Sequence, residues 1–144
     1  MPLPTKEEIN PFEDDLDGIS ACRNFLGKTL DDVEAMLNEN SGLYQEDLLY
    51  LGPVAFRYYL PAIARFFQNH RAVQRSFVDW FAVVLESRLE NERGELAPVA
   101  GQLVEVCRVI DESWPDPEYL EHYRDVQKKY VKLTNEFLRM VAER

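Results

Sequence analysis

The chain has few of the residues on which metal and nucleotide chemistry depend. Its 144 residues include two histidines, two cysteines and six glycines. Neither His70 nor His122 follows a glutamate at the Glu-x-x-His spacing that di-iron helical bundles use. The glycines form neither a GxGxxG sequence nor a P-loop, so nucleotide binding is not expected. Cys22 and Cys107 lack the spacing of a redox pair or a metal knuckle, and we expect two reduced, buried thiols. No metal or other cofactor is predicted.

The chain also lacks a long apolar run and a targeting signal. No stretch approaches the ~20 apolar residues that a membrane-spanning helix needs. The first ten residues carry acidic side chains and no apolar core, unlike a signal or transit peptide. We therefore expect no membrane contact and a cytoplasmic location. Because 46% of the residues are hydrophobic and 12% are aromatic, the composition predicts one folded domain over residues 1–144.

The acidic residues are concentrated at the N-terminal end. Residues 1–50 contain three basic and twelve acidic residues, a net charge of -9, whereas residues 51–144 contain thirteen and fourteen, a net charge of -1. Such a field opposes binding to nucleic acid or anionic lipid and favours a basic protein as partner. The alternative is a solvated surface without a partner. The candidate partner-binding residues are Asp14, Asp15, Asp17, Asp31 and Asp32.

Spacings of three and four between apolar residues predict helices along the N-terminal part. Thr5 begins a capping-box pattern for a short helix that a proline stops after about one turn. A second helix is predicted over residues 18–26, and Thr29 is predicted to cap a third that stops near residues 40–42. The apolar face of the second helix would consist of Ile19, Cys22, Phe25 and Leu26.

Residues 44–51 predict a short helix, and a short buried strand over residues 48–51 is the alternative. A longer helix should begin at Pro53, and Pro61 should either kink it or make it end at Tyr59 and restart. Because proline has no N–H, the carbonyl of Arg57 would lose its partner there. A pocket beside this kink, suited to a small ligand or to catalysis, would use Arg57, Tyr58, Tyr59 and Pro61.

The C-terminal half predicts two further helices and then the most regular apolar pattern of the chain. From Pro117 to the end, this last helix would contain 28 residues and reach about 40 Å. Its seam would pack within the domain, and a homodimer through the same helix is the alternative. The seam residues are Tyr119, Tyr123, Val126, Tyr130, Leu133, Phe137 and Met140. The predicted fold class is all-α, an irregular helical bundle of about five to seven helices with a long C-terminal helix.

Two further patterns, at residues 13–18 and 57–75, resemble binding motifs but have simpler interpretations. The run EDDLDG at residues 13–18 begins like an EF-hand loop, but Asn24 would occupy the position of the bidentate glutamate. A solvated acidic loop therefore fits better than a calcium site. Residues 57–75 mix arginines and aromatics as single-stranded nucleic-acid sites do. Those aromatics follow the period of a buried helix face, so no nucleic-acid binding is expected.

The stretch DLLYLGPVAFRYYLPA at residues 47–62, with FLGKTL at residues 25–30, resembles small bacterial proteins of unknown function. These families share an aromatic Tyr-Tyr-Leu-Pro segment. The resemblance covers about the first half of the chain. It implies a bacterial origin and brings no activity and no functional residue with it.

The leading hypothesis from the sequence is a non-catalytic, cytoplasmic binding or regulatory module of the immunity-protein kind. Its acidic N-terminal third would meet a basic protein. An enzyme or small-ligand protein that uses the pocket near Tyr58 and Pro61 is the second hypothesis. A DNA mimic is the third, and it would need the acidic groups spaced like phosphates on a single face.

Overall fold

The computed structural model describes residues 2–12, 14–69, 75–112 and 124–143. All regular structure in these ranges is helical, which confirms the all-α fold class. The α-helices are α1 Lys6–Ile9, α2 Leu16–Phe25, α3 Leu30–Tyr44, α4 Asp47–Tyr50, α5 Pro53–Asn69, α6 Arg75–Leu96, α7 Ala100–Glu112 and α8 Arg124–Ala142, with a 3-10 turn at Ala97–Val99. The backbone divides into two compact units, residues 1–66 and residues 67–144. The single domain expected from the sequence stays a prediction.

Two capping boxes start helices in the first unit where the sequence predicts them. The Thr5 hydroxyl accepts from the N–H of Glu8 at 3.2 Å, and the Glu8 carboxylate accepts from the N–H of Thr5 at 2.9 Å. Thr29 and Asp32 repeat this arrangement at the start of α3, at 3.1 and 2.9 Å. Each box satisfies two backbone donors that a helix start would otherwise leave free. The local sequence alone is therefore sufficient to position these two helix starts.

Helix α2 turns a different face inward from the one predicted. Ile19 and Leu26 are exposed, whereas Cys22 and Phe25 are buried as expected. The buried stripe includes the small residues Gly18 and Ala21, which hydropathy alone does not distinguish from surface positions. A Cβ atom at Gly18 would lie 2.1 Å from the side-chain oxygen of Asn10, so only glycine allows this close approach. The packing of the small residues Gly18 and Ala21, rather than the spacing of the large apolar residues, therefore sets which face of α2 is buried.

The segment around residues 40–51 is helical rather than extended. The backbone of Asn40 leaves helical geometry, with φ -160° and ψ 83°, inside the range of α3. The predicted stop at residues 40–42 is therefore a kink, after which helix continues to Tyr44. Helix α4 covers three of the four residues for which a strand was the alternative, so the helix prediction is correct there.

Helix α5 is continuous through Pro61. It neither ends at Tyr59 nor restarts at Pro61, so that form of the expected interruption is wrong. Pro61 is half-buried, and the apolar side chains beside it hold the helix in place. The apolar side chains that recur at steps of three and four along α5 are all buried: Phe56, Tyr59, Leu60, Ile63, Phe66 and Phe67.

In the second unit, the C-terminal helix α8 packs mainly against α7 and also against α6. Its described seam is buried at Tyr130, Leu133, Phe137 and Met140, as predicted for packing within the chain, and half-buried at Val126. The start expected at Pro117, the seam residues Tyr119 and Tyr123, and both histidines lie outside the described residues. A homodimer through this helix stays a prediction. Cys107 is fully buried on α7, and Cys22 is buried in the first unit.

Candidate functional site

The five predicted partner-binding residues form two groups, each at the start of a helix. Asp14, Asp15 and Asp17 surround the first turn of α2, whereas Asp31 and Asp32 occupy the first turn of α3. Carboxylates are stabilised at these positions because free backbone N–H groups and the helix dipole favour negative charge. Part of the N-terminal acidity therefore has a structural role.

Basic side chains lie close to the group at the start of α3. Arg65 lies with Nη1 3.4 Å from the Asp31 Oδ1 atom. The pKa of Asp32 is lowered, first by the hydrogen bond from the Thr29 backbone and then by its hydroxyl, with a smaller contribution from Lys28. The field of this group is thus partly compensated. Through Arg65, one arginine of α5 thus pairs with the acidic N-terminal third.

The group at the start of α2 includes two residues that were not predicted as part of a site, Glu46 and Tyr50. Burial raises the pKa of the Tyr50 hydroxyl first, and the negative charges of Asp17, Asp15 and Glu46 raise it further. Asp14, Asp17 and Glu46 are exposed, whereas Asp15 is half-buried and accepts from the N–H of Asp17 at 3.2 Å. Asp15, Asp17 and Glu46 thus all lie within electrostatic range of one phenol.

A buried carboxylate on α4 explains why Glu46 and Tyr50 lie beside the start of α2. Asp47 is buried and accepts from the Ser20 hydroxyl at 3.1 Å and from the Asn24 amide at 2.6 Å. The two donors belong to one face of α2, one turn apart. They hold α4 against α2 so that Tyr50 lies near Asp17.

Large apolar side chains are exposed to solvent near these carboxylates. Phe12 is 75% exposed, Leu16 is 80% exposed and Ile19 is 40% exposed. The N–H of Asp15 donates to the carbonyl of Phe12 at 2.9 Å, which keeps Phe12 next to the helix start. Leu16 and Ile19 follow on one side of α2, opposite the buried stripe. We call these three residues, with Asp14, Asp15 and Asp17, the Phe12–Ile19 surface.

An open groove of about 510 Å³ borders this surface on the side of α1. Its lining residues are Lys6, Glu7, Asn10, Asp14, Ile19 and Cys22. Burial raises the pKa of the Cys22 thiol, and its S–H donates to the carbonyl of Lys6 at 3.6 Å. A neutral thiol held in this way is a weak nucleophile, and the groove suits contact with a partner better than covalent chemistry.

Sequence reasoning missed Phe12, Leu16, Ile19, Glu46 and Tyr50 as members of one surface. A signal was present for Leu16 and Ile19. When the stripe of residues 18, 21, 22 and 25 is taken as the buried face, both fall on the other side of the helix. For Glu46 and Tyr50 the sequence holds no such signal, because a contact between helices brings them to α2.

The residues of the predicted α5 pocket have mixed surroundings. Tyr59 is fully buried, and its hydroxyl lies 2.9 Å from the carbonyl of Phe25 and 2.8 Å from that of Lys28. Burial raises the pKa of Tyr59 to about 12, so this hydroxyl is a proton donor within the chain. Arg57, Tyr58 and Pro61 are half-buried. The side chain of Tyr59 is thus part of the packing and is not open to a ligand.

Within the part of the chain that the structure describes, no group of three or more His, Cys, Asp or Glu side chains is placed to hold a metal ion. The helices in the same ranges include none that is both long and apolar enough to cross a membrane. No family model, no curated protein and no solved structure matches the chain. The resemblance at residues 25–30 and 47–62 therefore assigns no activity, and function has to be argued from the Phe12–Ile19 surface and its neighbours.

Proposed function

We propose that this chain is a non-catalytic, cytoplasmic module that binds a basic protein through its acidic N-terminal third. The observation that supports it is the net charge of -9 over residues 1–50, together with the carboxylates clustered around Tyr50. Carboxylates on a protein surface steer a basic partner towards it and speed its association. An immunity protein, which captures a basic toxin in a bacterial cell, has a function of this kind.

The structure sharpens which acidic residues should matter most. Asp31 and Asp32 lie close to Arg65 and Lys28, which weakens their field. Asp17 and Glu46 are exposed and both act on Tyr50, whereas Asp14 is exposed on the other side of the start of α2, in the groove that Glu7 also lines. We therefore expect the start of α2 to contribute more to partner capture than the start of α3.

The test compares two variants that each lose five negative charges. In the first, Asp14, Asp15, Asp17, Asp31 and Asp32 are changed to asparagine, which keeps the helix caps because asparagine caps as well as aspartate. The matched control changes five acidic residues elsewhere to their amides: Glu90, Glu105, Glu112, Asp125 and Glu143. Each protein is used as bait in an affinity capture from the native organism, and bound proteins are identified by mass spectrometry.

The expected result is a basic protein that the wild type and the control variant capture and that the first variant loses. Its purified complex should weaken by about tenfold or more on neutralisation at low salt, and wild-type affinity should fall between about 50 and 200 mM salt. Equal capture by all three proteins would contradict the electrostatic mechanism.

A further inference from the structure

Phe12, Leu16 and Ile19 expose apolar surface in the region where the exposed carboxylates are densest. Single exposed apolar residues are common on proteins and need no explanation. Here three occur within eight residues of the chain: the Phe12 carbonyl accepts from the N–H of Asp15 in the turn before α2, and Leu16 and Ile19 follow within one turn of that helix. A contiguous apolar patch with a charged rim is typical of a protein contact surface.

Carboxylates flank this apolar ridge on both sides. Asp17 lies on the side of α4, where it acts on Tyr50 together with Glu46. Asp14 lies on the opposite side, where it lines the groove with Lys6, Glu7 and Ile19. An occupant of this surface thus meets apolar side chains in the middle and net negative charge along both edges, since the groove side carries two carboxylates and one lysine. Arg23, exposed two turns further along α2, ends the acidic rim in that direction.

This charge pattern decides between the possible occupants. A second copy of the chain would place carboxylates against carboxylates, and an anionic membrane would be repelled by the same groups. A helix with an apolar stripe between two rows of lysine or arginine matches the ridge and both edges at once.

We propose that the Phe12–Ile19 surface binds an amphipathic basic helix of a partner protein. The helix packs its apolar stripe on Phe12, Leu16 and Ile19, and its basic side chains meet the carboxylates on either side. This inference rests on the proposed function and deepens it. Charge then controls how fast the partner arrives, and the apolar contact controls how long it stays.

The probe for the test is a synthetic peptide of about 14 lysine and leucine residues, with leucines spaced to form one helical stripe. A second peptide has the same composition, with its leucines spread around the helix. Binding of both is measured by fluorescence anisotropy at low and at moderate salt. The proteins are the wild type, a Phe12→Ser/Leu16→Ser variant and a control Val131→Ser/Leu138→Ser variant, which removes exposed apolar residues of α8.

The wild type and the control should bind the striped peptide at least about tenfold more tightly than the scrambled one. The Phe12→Ser/Leu16→Ser variant should lose this preference through a faster dissociation rate and keep the same salt dependence. Equal affinity of the wild type for both peptides would overturn the inference. So would wild-type binding by the Phe12→Ser/Leu16→Ser variant.

The asparagine variant of the five aspartates separates the two proposals. If it binds both peptides less tightly but the wild type does not distinguish them, the proposed function holds and the amphipathic partner is wrong. If it binds like the wild type, the electrostatic function itself fails. A dimer in sedimentation that Phe12→Ser/Leu16→Ser abolishes, or wild-type binding to vesicles with phosphatidylglycerol, would also overturn the inference by giving this surface another occupant.

Discussion

The two units of the chain use their acidic residues in different ways. Residues 1–66 contain five basic and twelve acidic residues, whereas residues 67–144 contain eleven and fourteen. In the second unit, Glu86, Glu92, Glu105 and Glu136 each form an ion pair with a lysine or arginine of the same unit. In the first, aspartates cap helices and gather around a tyrosine. Acidity in the second unit is thus largely compensated, with a net charge of -3, whereas the first unit keeps a net charge of -7 and leaves a field for a partner.

The pairs of the second unit illustrate how compensation works. Arg88 is buried, and burial lowers the pKa of its guanidinium, against which the charge of Glu92 acts. Glu136 on α8 lies 2.9 Å from Arg93 on α6, and this hydrogen bond is the largest cause of its lowered pKa. Exposed pairs of this kind contribute little to stability. Their main consequence is a surface of low net charge, which contrasts with the start of α2.

The largest expected effect comes from removing a buried ring of the second unit. Phe137 on α8 is fully buried, and Phe137→Ala should lower the free energy of unfolding by about 3–5 kcal/mol through lost contacts and a cavity. The neighbouring Leu138 is 40% exposed, and Leu138→Ala should change it by less than about 0.5 kcal/mol. Urea unfolding followed by circular dichroism measures both. Similar effects of the two substitutions would contradict the burial pattern of α8.

A smaller effect should distinguish the buried tyrosines of the two units. The single proton of the Tyr59 hydroxyl is shared between two backbone carbonyls in the first unit, and the hydroxyl of Tyr130 donates to the carbonyl of Val78 in the second. Replacing each tyrosine with phenylalanine removes these hydrogen bonds, and because the Phe25 carbonyl also accepts from the N–H of Lys28, the expected cost is about 0.5–1.5 kcal/mol. We expect Tyr59→Phe to cost at least as much as Tyr130→Phe in the same urea experiment. If Tyr59→Phe leaves the free energy of unfolding unchanged, the Tyr59 hydroxyl does not stabilise the segment from Phe25 to Lys28.

The two thiols should differ in how they couple stability to pH. Burial raises the pKa of Cys107 from 9.0 to about 12, and it raises the pKa of Cys22 as well. An unfolded chain releases these protons near pH 9 while the folded chain retains them, so stability should fall as pH rises from about 9 towards 12. Cys107→Ala should remove more of this decline than Cys22→Ala. Unfolding free energies at pH 8, 9 and 10, each compared with the variant's own value at neutral pH, provide the measurement.

The helix caps among the acidic residues should have effects of a similar size. Asp15→Ala should cost about 0.5–2 kcal/mol, because the N–H of Asp17 loses its acceptor, whereas Asp15→Asn should be nearly neutral. Thermal unfolding of the two variants checks this. If Asp15→Asn proves as harmful as Asp15→Ala, a lost fold would explain any loss of binding in the neutralised protein.

Much of the fold could be predicted from local patterns. The capping boxes at Thr5 and Thr29 and the buried stripe of α5 follow from spacings of three and four residues, which only helices satisfy. The inward face of α2 could not be predicted in this way. Its contact with Asn10 depends on Gly18, and a glycine scores as neither apolar nor polar.

For the candidate site, the excess of negative charge could be predicted from the sequence, but the contacts between its residues could not. Charge adds up along the sequence, so the acidity of the first fifty residues is visible without coordinates. Which acidic residues lie near arginine or lysine, and which lie near one another, depends on contacts between helices. Arg65 is 34 positions from Asp31 in the sequence but contacts it in the structure. The hydrogen bonds of the buried Asp47 hold Glu46 and Tyr50 near α2.

The sequence by itself determined the helical class, the helix starts at Thr5 and Thr29 and the excess of negative charge, because periodicity, capping and charge are properties of neighbouring residues. Only the tertiary structure decided that Phe12, Leu16 and Ile19 stand exposed among carboxylates. A side chain is buried or exposed according to what packs beside its helix, and that depends on residues distant in sequence.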